Sequence, residues 1–476
     1  MIEQRVDRMQ GNENYSGKAE LITIKYYKFS SLNQNIHNIN ETEEHTFIEK
    51  GDVLTPLMPV IIQSNGEVWS IGSIFFTKYL KVNSANDYKT LICIANDLFD
   101  YYKFIECCEF EDKSLNWLYL PLEEEERVIN RYVKHLDDLT TQHVLRESTR
   151  SRRINHVIYF YKFCFEHNLF DKNTISNGLP FKIIVTIIKR MDSLGFSYKR
   201  KIETTNLSRA VAKKKPTIDS IADGRTLHPI KTNDLNIAKE YLNNHPSRAF
   251  QLFFEFALET GARSQTISTI RIHHIKEIID SQTIFNDRVQ LLIGGRTTID
   301  SKFSHERSIY IPKSLCHKLL KYTLSETWRK NAETSYYGVS DKNYIFLTNR
   351  GTPYYTSKSD LTDSDYNNAD LGIAVGGTLR SQLNTLLEPI IENYPNFPKF
   401  SIHDLRATFA MDIFADCVLK NFNTTQATLL VSTLLGHKST TVTERYLDSF
   451  RDLDLFNSAQ QNLEQKLLSP LKGNSN

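Results

Sequence analysis

The chain has 476 residues, 40% hydrophobic and 24% charged, and carries 58 Lys and Arg against 56 Asp and Glu for a formal net charge of +2. This length accommodates two or three domains with ample core, and this balance excludes a disordered or fibrous chain. A charge so near neutral neither demands nor excludes a nucleic-acid partner, so local basic patches decide. The six cysteines (Cys93, Cys107, Cys108, Cys164, Cys316 and Cys417) show no metal-ligand spacing. Most sit among apolar residues, which points to buried free thiols in a reducing cytosol. The N-terminus is polar, and no apolar run is long enough to span a membrane. The expectation is a cytoplasmic protein without a membrane partner.

Residues 1–66 are mixed and polar, with short strand-like pieces. Residues 21–27 alternate in strand fashion, Pro56 and Pro59 interrupt the next apolar run, and Asn65-Gly66 marks a turn between 60–62 and 68–71. A small β unit or an irregular arm fits, with no readable role. From 67 to 190 the pattern is helical: Tyr88, Leu91, Ile92, Ala95, Phe99 and Tyr102 recur at helical spacing, as do Ile154, Val157, Ile158, Tyr161 and Phe165. The four glutamates 123–126 read as a solvated helix start. Arg150, Arg152 and Arg153, with Ser148, Thr149 and Ser151, cluster where the second helix begins, an arrangement suited to phosphate oxygens or to a solvated helix start. Residues 191–224 read as a basic linker, with Lys199, Arg200 and Lys201 near its start and Lys213, Lys214 and Lys215 before Pro216. Such a stretch suits duplex phosphates, with plain solubility as the alternative.

A second domain begins near Arg225. Phe250, Phe253, Phe254, Ala257 and Leu258 form one helical face that stops at Gly261, and Arg263 opens a new helix. Residues 289–293 and 308–312 read as a β-hairpin whose connection carries Gly294, Gly295, Arg296 and Lys302. Residues 344–351 form a short strand and turn, and 360–370 an acidic loop. His403 and Arg406 are three apart and share a helix face. Leu434-Leu435-Gly436 reads as a helix end capped by a left-handed glycine, with His437 next. Ser439, Thr440 and Thr441 can cap a new helix, with Glu444 completing a capping box, and Tyr446 falls in its second turn, nine residues beyond His437. The tail, 452–468, carries a stripe of Leu455, Ala459, Leu463 and Leu467 that packs at home or docks on a neighbouring protomer.

Arg263 after Thr260-Gly261, then His403-x-x-Arg406, Leu435-Gly436-His437 and Tyr446, taken in order, resemble the signature of the tyrosine recombinases, the phage-integrase-like enzymes. The resemblance implies a mostly α fold with small β-sheets: a helical SAM-like core-binding domain at 67–190, a basic linker at 191–224, and a mixed α+β catalytic domain at 225–476, closing as a C-clamp on DNA. It implies that Arg263 and Arg406 clamp a phosphate, that His403 assists proton transfer from the nucleophile Tyr446, and that His437 donates to a phosphate oxygen. Lys302 then protonates the leaving 5′ hydroxyl, with Arg296 as its competitor for that role. The family's Glu three residues after the first arginine is Thr266 here, so carboxylate support must come from elsewhere.

The residue chemistry fits independently. A tyrosine hydroxyl, pKa ~10, is a feasible nucleophile once activated, and arginine's planar charged fork suits phosphate oxygens. The activity implied is site-specific DNA recombination through a 3′-phosphotyrosine, integrating or excising a mobile element without metal, ATP or other cofactor. Implied partners are double-stranded DNA, a homotetramer on paired recombination sites, and accessory DNA-bending or directionality factors. Two rivals share these residues: a DNA-binding protein of this fold that does not recombine, and a topoisomerase- or resolvase-like tyrosine enzyme. No P-loop occurs, and the adjacent His273-His274 pair diverges on a helix, a poor metal site.

Overall fold

The computed structural model describes residues 18–28, 53–83, 88–111, 117, 121, 123–167, 179–191, 197–209, 220–223, 225–283, 287–363, 365–366, 369, 371–437 and 440–451. Among them the chain is mostly helical, with small antiparallel two-stranded sheets. It forms two compact units, residues 1–213 and 214–476.

In the first unit, β1 (Glu20–Lys28) pairs antiparallel with β2 (Val53–Ile62), Glu20 opposite Ile62. The strand expected after Asn65-Gly66 shrinks to a single bridge, Val68 to Ile62, because α1 (Ser70–Asn83) starts two residues later. The remaining helices are α2 (Tyr88–Glu111), α3 (Val128–Thr141) and α4 (Glu147–Glu166). Met58 and Ile61 of β2 share one core with Phe76, Leu91, Tyr132, Val157 and Phe160, so the β pair is held by the helices rather than standing apart.

The helical expectation fails at the end of this unit. Residues Ile183–Met191 form β3, paired antiparallel with β4 (Ser197–Thr205) inside the stretch expected to be a linker. The run Ile183-Ile184-Val185-Thr186-Ile187-Ile188 is β-branched throughout, stiff at χ1 and suited to a pleated backbone.

The second unit begins with a tight β pair, β5 (Ile221–Asp223) and β6 (Arg225–Leu227). Helices α5 (Thr232–Asn243), α6 (Arg248–Thr260), α7 (Ser264–Ser268) and α8 (Ile272–Ile278) follow. The expected hairpin is present as β7 (Arg288–Ile293) and β8 (Arg307–Pro312), with Ile293 opposite Arg307. Then come α9 (Lys313–Thr323), α10 (Glu326–Glu333), α11 (Lys358–Thr362), α12 (Gly377–Asn393), α13 (Asp404–Leu419) and α14 (Thr424–Leu435). The described part of α15 is residues 440–451.

The acidic loop expected from residue 360 is not a solvated one at its start. Asp360 is buried, ion-paired with Arg271, and accepts hydrogen bonds from the Tyr337 and Tyr344 hydroxyls. Burying a carboxylate is tolerated because a cation and two phenols replace its water. Lys213, Lys214, Lys215 and the tail stripe at 452–468 lie outside the described residues. Cys93, Cys107, Cys164, Cys316 and Cys417 are free thiols.

A small core carries the site. Ile221 and Leu227 of the β5–β6 pair pack with Ala407, Phe409, Ala410 and Ile413 of α13, Val431 and Leu435 of α14, and Tyr446 of α15. The β5–β6 pair and three consecutive helices some 180 residues further along therefore meet around one apolar centre.

Candidate active site

The site is assembled at helix ends. Helix α6 stops because Gly261 adopts φ 60°, a left-handed conformation, and a Cβ there would collide with Phe409 and lie 2.9 Å from Leu435. Arg263 follows in extended conformation as the cap of α7. Helix α14 stops the same way at Gly436, φ 64°. Helix α13 is anchored at its start by Asp404, whose carboxylate accepts from the backbone N–H of His228 (2.9 Å) and of Ser401 (2.7 Å). One turn later the Thr408 hydroxyl accepts from the Ile230 backbone at 2.9 Å. These bonds sew the segment after β6 onto α13, and so bring Asp223 beside Arg406.

Arg406 is 1% exposed and its guanidinium joins three segments. It donates to the carbonyls of Gly261 (2.7 Å) and Leu435 (3.0 Å), to the Asp223 carboxylate through Nε (3.1 Å), and to His437 Nε2 (2.9 Å). Both carbonyls sit at helix C-termini, where partial negative charge favours a cation.

Asp223 is the second hub. Its Oδ2 accepts from Arg406 and from the Tyr446 hydroxyl at 3.0 Å, and lies 3.5 Å from His437 Nε2. Its Oδ1 lies 3.7 Å from Arg263. Burial opposes charge on this carboxyl, but the Arg406 and Arg263 guanidiniums outweigh it and hold the pKa well below the usual carboxylate range.

Tyr446 is fully buried. Burial pushes its pKa above the ordinary phenol value, with Asp223 adding to the shift and Arg406 opposing it. His437 contacts the Thr443 hydroxyl through Nδ1 at 2.8 Å, and its ring centroid lies 5.7 Å from that of Tyr446. Burial lowers its pKa, Asp223 opposes and the arginines reinforce the shift, so the ring is neutral. Arginine has only protons to give, so Nε2 is the acceptor and Nδ1 carries the proton toward Thr443. Arg263 is lowered to about 10, by burial and then by Arg406.

The structure thus brings together Arg263, Arg406, His437 and Tyr446. His403 is half-buried at the cap of α13, with its carbonyl accepting from the Arg406 backbone at 3.2 Å. Lys302 opens a short 3-10 turn, Lys302–Ser304, and is exposed, as is Arg296. Three residues that sequence reasoning missed complete the site: Asp223, Thr443 and Arg307. Thr443 lies one helical turn before Tyr446, a spacing that could have signalled it. Asp223 lies in the stretch that read as a basic linker. It supplies a carboxylate where Thr266, 1% exposed, cannot.

The basic candidates of the first unit behave differently. Arg150 is corrected: it is 1% exposed and its guanidinium turns inward to an ion pair with Asp137. An arginine at this helix position serves the interior because an acid faces it from α3. Arg152 is 47% exposed but donates to both oxygens of Asp97, and Arg153 pairs with Asp100 at 2.8 Å. Lys199, Arg200 and Lys201 lie on β4 and are exposed.

Among the described residues no helix is long and apolar enough to cross a membrane, and no group of three or more His, Cys, Asp or Glu is placed to hold a metal ion.

No protein-family model matches the sequence, and no curated protein matches it. Among solved structures, the chain is similar to the Tn1549 transposon integrase in complex with circular intermediate DNA, at 12% identity, covering 67% of this chain and 80% of that one, with a TM-score of 0.38. It is similar also to a variant of that integrase in complex with transposon right end DNA, at 13% identity, covering 72% and 85%, with a TM-score of 0.36. Likeness of this degree leaves the functional reading to the site's own geometry.

Proposed function

We propose that the chain is a tyrosine-type site-specific DNA recombinase that cleaves and rejoins duplex DNA through a covalent 3′-phosphotyrosine, integrating or excising a mobile element. One observation carries the reading: a single buried carboxylate, Asp223, is faced by two guanidiniums, an imidazole and a phenol hydroxyl at once. A pocket that gathers these groups around one oxyanion suits a phosphodiester with Tyr446 set against it.

In the step proposed, Tyr446 Oη attacks phosphorus, the new O–P bond forms, and the P–O5′ bond breaks. The phenolic proton leaves toward His403, and the 5′ oxygen takes a proton from Lys302. Arg263 and Arg406 neutralise charge on the non-bridging oxygens, and Arg406, tied to two helix termini, also fixes the pocket's shape. His437 accepts from Arg406 in the present arrangement and becomes a donor to phosphate once Nε2 takes up a proton. The phosphotyrosine retains the energy of the broken bond, so a second 5′ hydroxyl can reverse the step. The exposed side chains of β4 are proposed to bind the DNA backbone, and a homotetramer on paired sites is the proposed assembly.

The test uses duplex DNA from the regions flanking the chain's own coding sequence, nicked so that the cleaved fragment diffuses away. Incubation in EDTA with the wild-type protein is expected to give an adduct that survives denaturation and is absent with Tyr446→Phe. Tight binding without an adduct would favour a DNA-binding protein that does not recombine.

A further inference from the structure

Arg307, the first residue of β8, is a cation at the site that the motif pattern does not include. It donates through Nη1 to the Leu435 carbonyl, the same oxygen that accepts from Arg406 at 3.0 Å. Two guanidiniums sharing one acceptor lie within about 6 Å of each other, where like charges repel appreciably in a buried setting. Among the described residues its other terminal nitrogen, Nη2, is buried and has no hydrogen-bond partner. An unsatisfied buried donor on a charged group is costly unless something supplies an acceptor.

The balance of charges points the same way. Arg263, Arg307 and Arg406 converge on a region in which Asp223 is their shared carboxylate. Burial, then Arg406 and Arg263, lower the Arg307 pKa to about 9, with Asp223 opposing. Among the described residues, three guanidiniums against one carboxylate leave a deficit that an added anion would fill. Gly436 makes room for this arrangement: a Cβ there would collide with the Arg307 guanidinium and lie 2.7 Å from its Cδ. The glycine between Leu435 and His437 therefore ends α14 and admits Arg307 together.

We propose that Arg307 is a third phosphate-binding guanidinium, offering Nη2 to a non-bridging oxygen of the DNA phosphate. This rests on the reading of the site as a DNA-cleaving one. The hairpin's contribution to the phosphate is then a strand residue, beside whatever its connection supplies through Lys302 or Arg296. Arginine keeps its proton here, so the role is charge neutralisation and not proton transfer.

Two readouts test it. In the first, thermal unfolding is compared in inorganic phosphate and in chloride at equal ionic strength. Phosphate is expected to raise the melting temperature of the wild type, Arg307→Gln to lose most of that rise, and Arg307→Lys, which keeps the charge if the Gln variant folds poorly, to retain part of it. An equal phosphate effect in wild type and Arg307→Gln, or none in the wild type, overturns the proposal. In the second, the rate of adduct formation on nicked DNA is expected to fall about 100-fold in Arg307→Gln, the scale of losing one transition-state donor. Equal rates would overturn the role of Arg307 and leave the recombinase reading standing. An Arg307-dependent phosphate effect in a wild-type protein that forms no adduct would do the reverse: the anion site stands and the recombinase reading falls.

Discussion

Asp223→Asn keeps the shape of the hub and removes its charge. The carboxylate side chain is 8% exposed and faces the 1%-exposed guanidinium of Arg406 at 3.1 Å. Without it, Arg406, Arg263 and Arg307 lose the carboxylate they share. Removing one partner of a buried ion pair costs about 3–5 kcal/mol, and the lower end applies because the Asn carbonyl can still accept from Arg406 and Tyr446. For a unit of this size each kcal/mol shifts the melting temperature by about 2–4 °C, so the transition should fall by roughly 6–12 °C at pH 7. The sign of the pH dependence follows from the depressed pKa. The folded protein keeps Asp223 ionised to lower pH than the unfolded chain, whose aspartate titrates near ~3.9. The stabilisation is full above that value and is lost as pH falls toward the folded pKa. Wild type and Asp223→Asn should therefore converge in acid. Scanning calorimetry of the full chain from neutral pH down to about pH 3 reads both effects. A variant that melts with the wild type at pH 7, or a gap that stays constant into acid, would refute the account of Asp223 as counter-charge.

Gly436→Ala should destabilise more than Gly338→Ala in the same unit: both positions have positive φ, but Gly436 faces the Arg307 guanidinium whereas Gly338 opens onto free space. The shared conformational cost is about 1 kcal/mol, and any excess measured by denaturant unfolding is the displacement of Arg307. His437 binds its proton less readily folded than unfolded, so stability should decline as pH falls through about 6.5, and His437→Gln should flatten that part of the pH profile. Arg150→Ala should cost about 3 kcal/mol of stability by breaking its buried pair with Asp137, and should leave the salt dependence of DNA binding unchanged. Replacing Lys199, Arg200 and Lys201 together by Gln should do the opposite, lowering the slope of log affinity against log salt by up to about 0.9 for each phosphate no longer neutralised, while thermal stability holds.

What the sequence made legible were features decided locally. Gly261 and Gly436 are readable because a helix stopped by a left-handed residue is a property of a few neighbours, and both have the expected φ. The β7–β8 hairpin is readable from two apolar strands around a glycine-bearing connection. The run at 183–188 was not, because a short apolar run fits either a helix or a strand until its partner is known, and that partner was hidden in what read as a basic linker. Asp223 was invisible for a deeper reason. Its hydrogen bonds to Arg406 and Tyr446 span 183 and 223 residues. A cluster of arginines constrains the total charge at a point in space, but not the element that delivers the opposite charge. The acid can come one turn after the first arginine or, as here, from a β pair forty residues upstream, provided buried neighbours such as Ile221 and Leu227 bring it to the same point. Arg307 is the same lesson with the sign reversed. A motif orders along the chain only some of the charges that meet at the site, whereas a further cation such as Arg307, like the acid Asp223, reaches it by distance alone, and distance is settled by the fold.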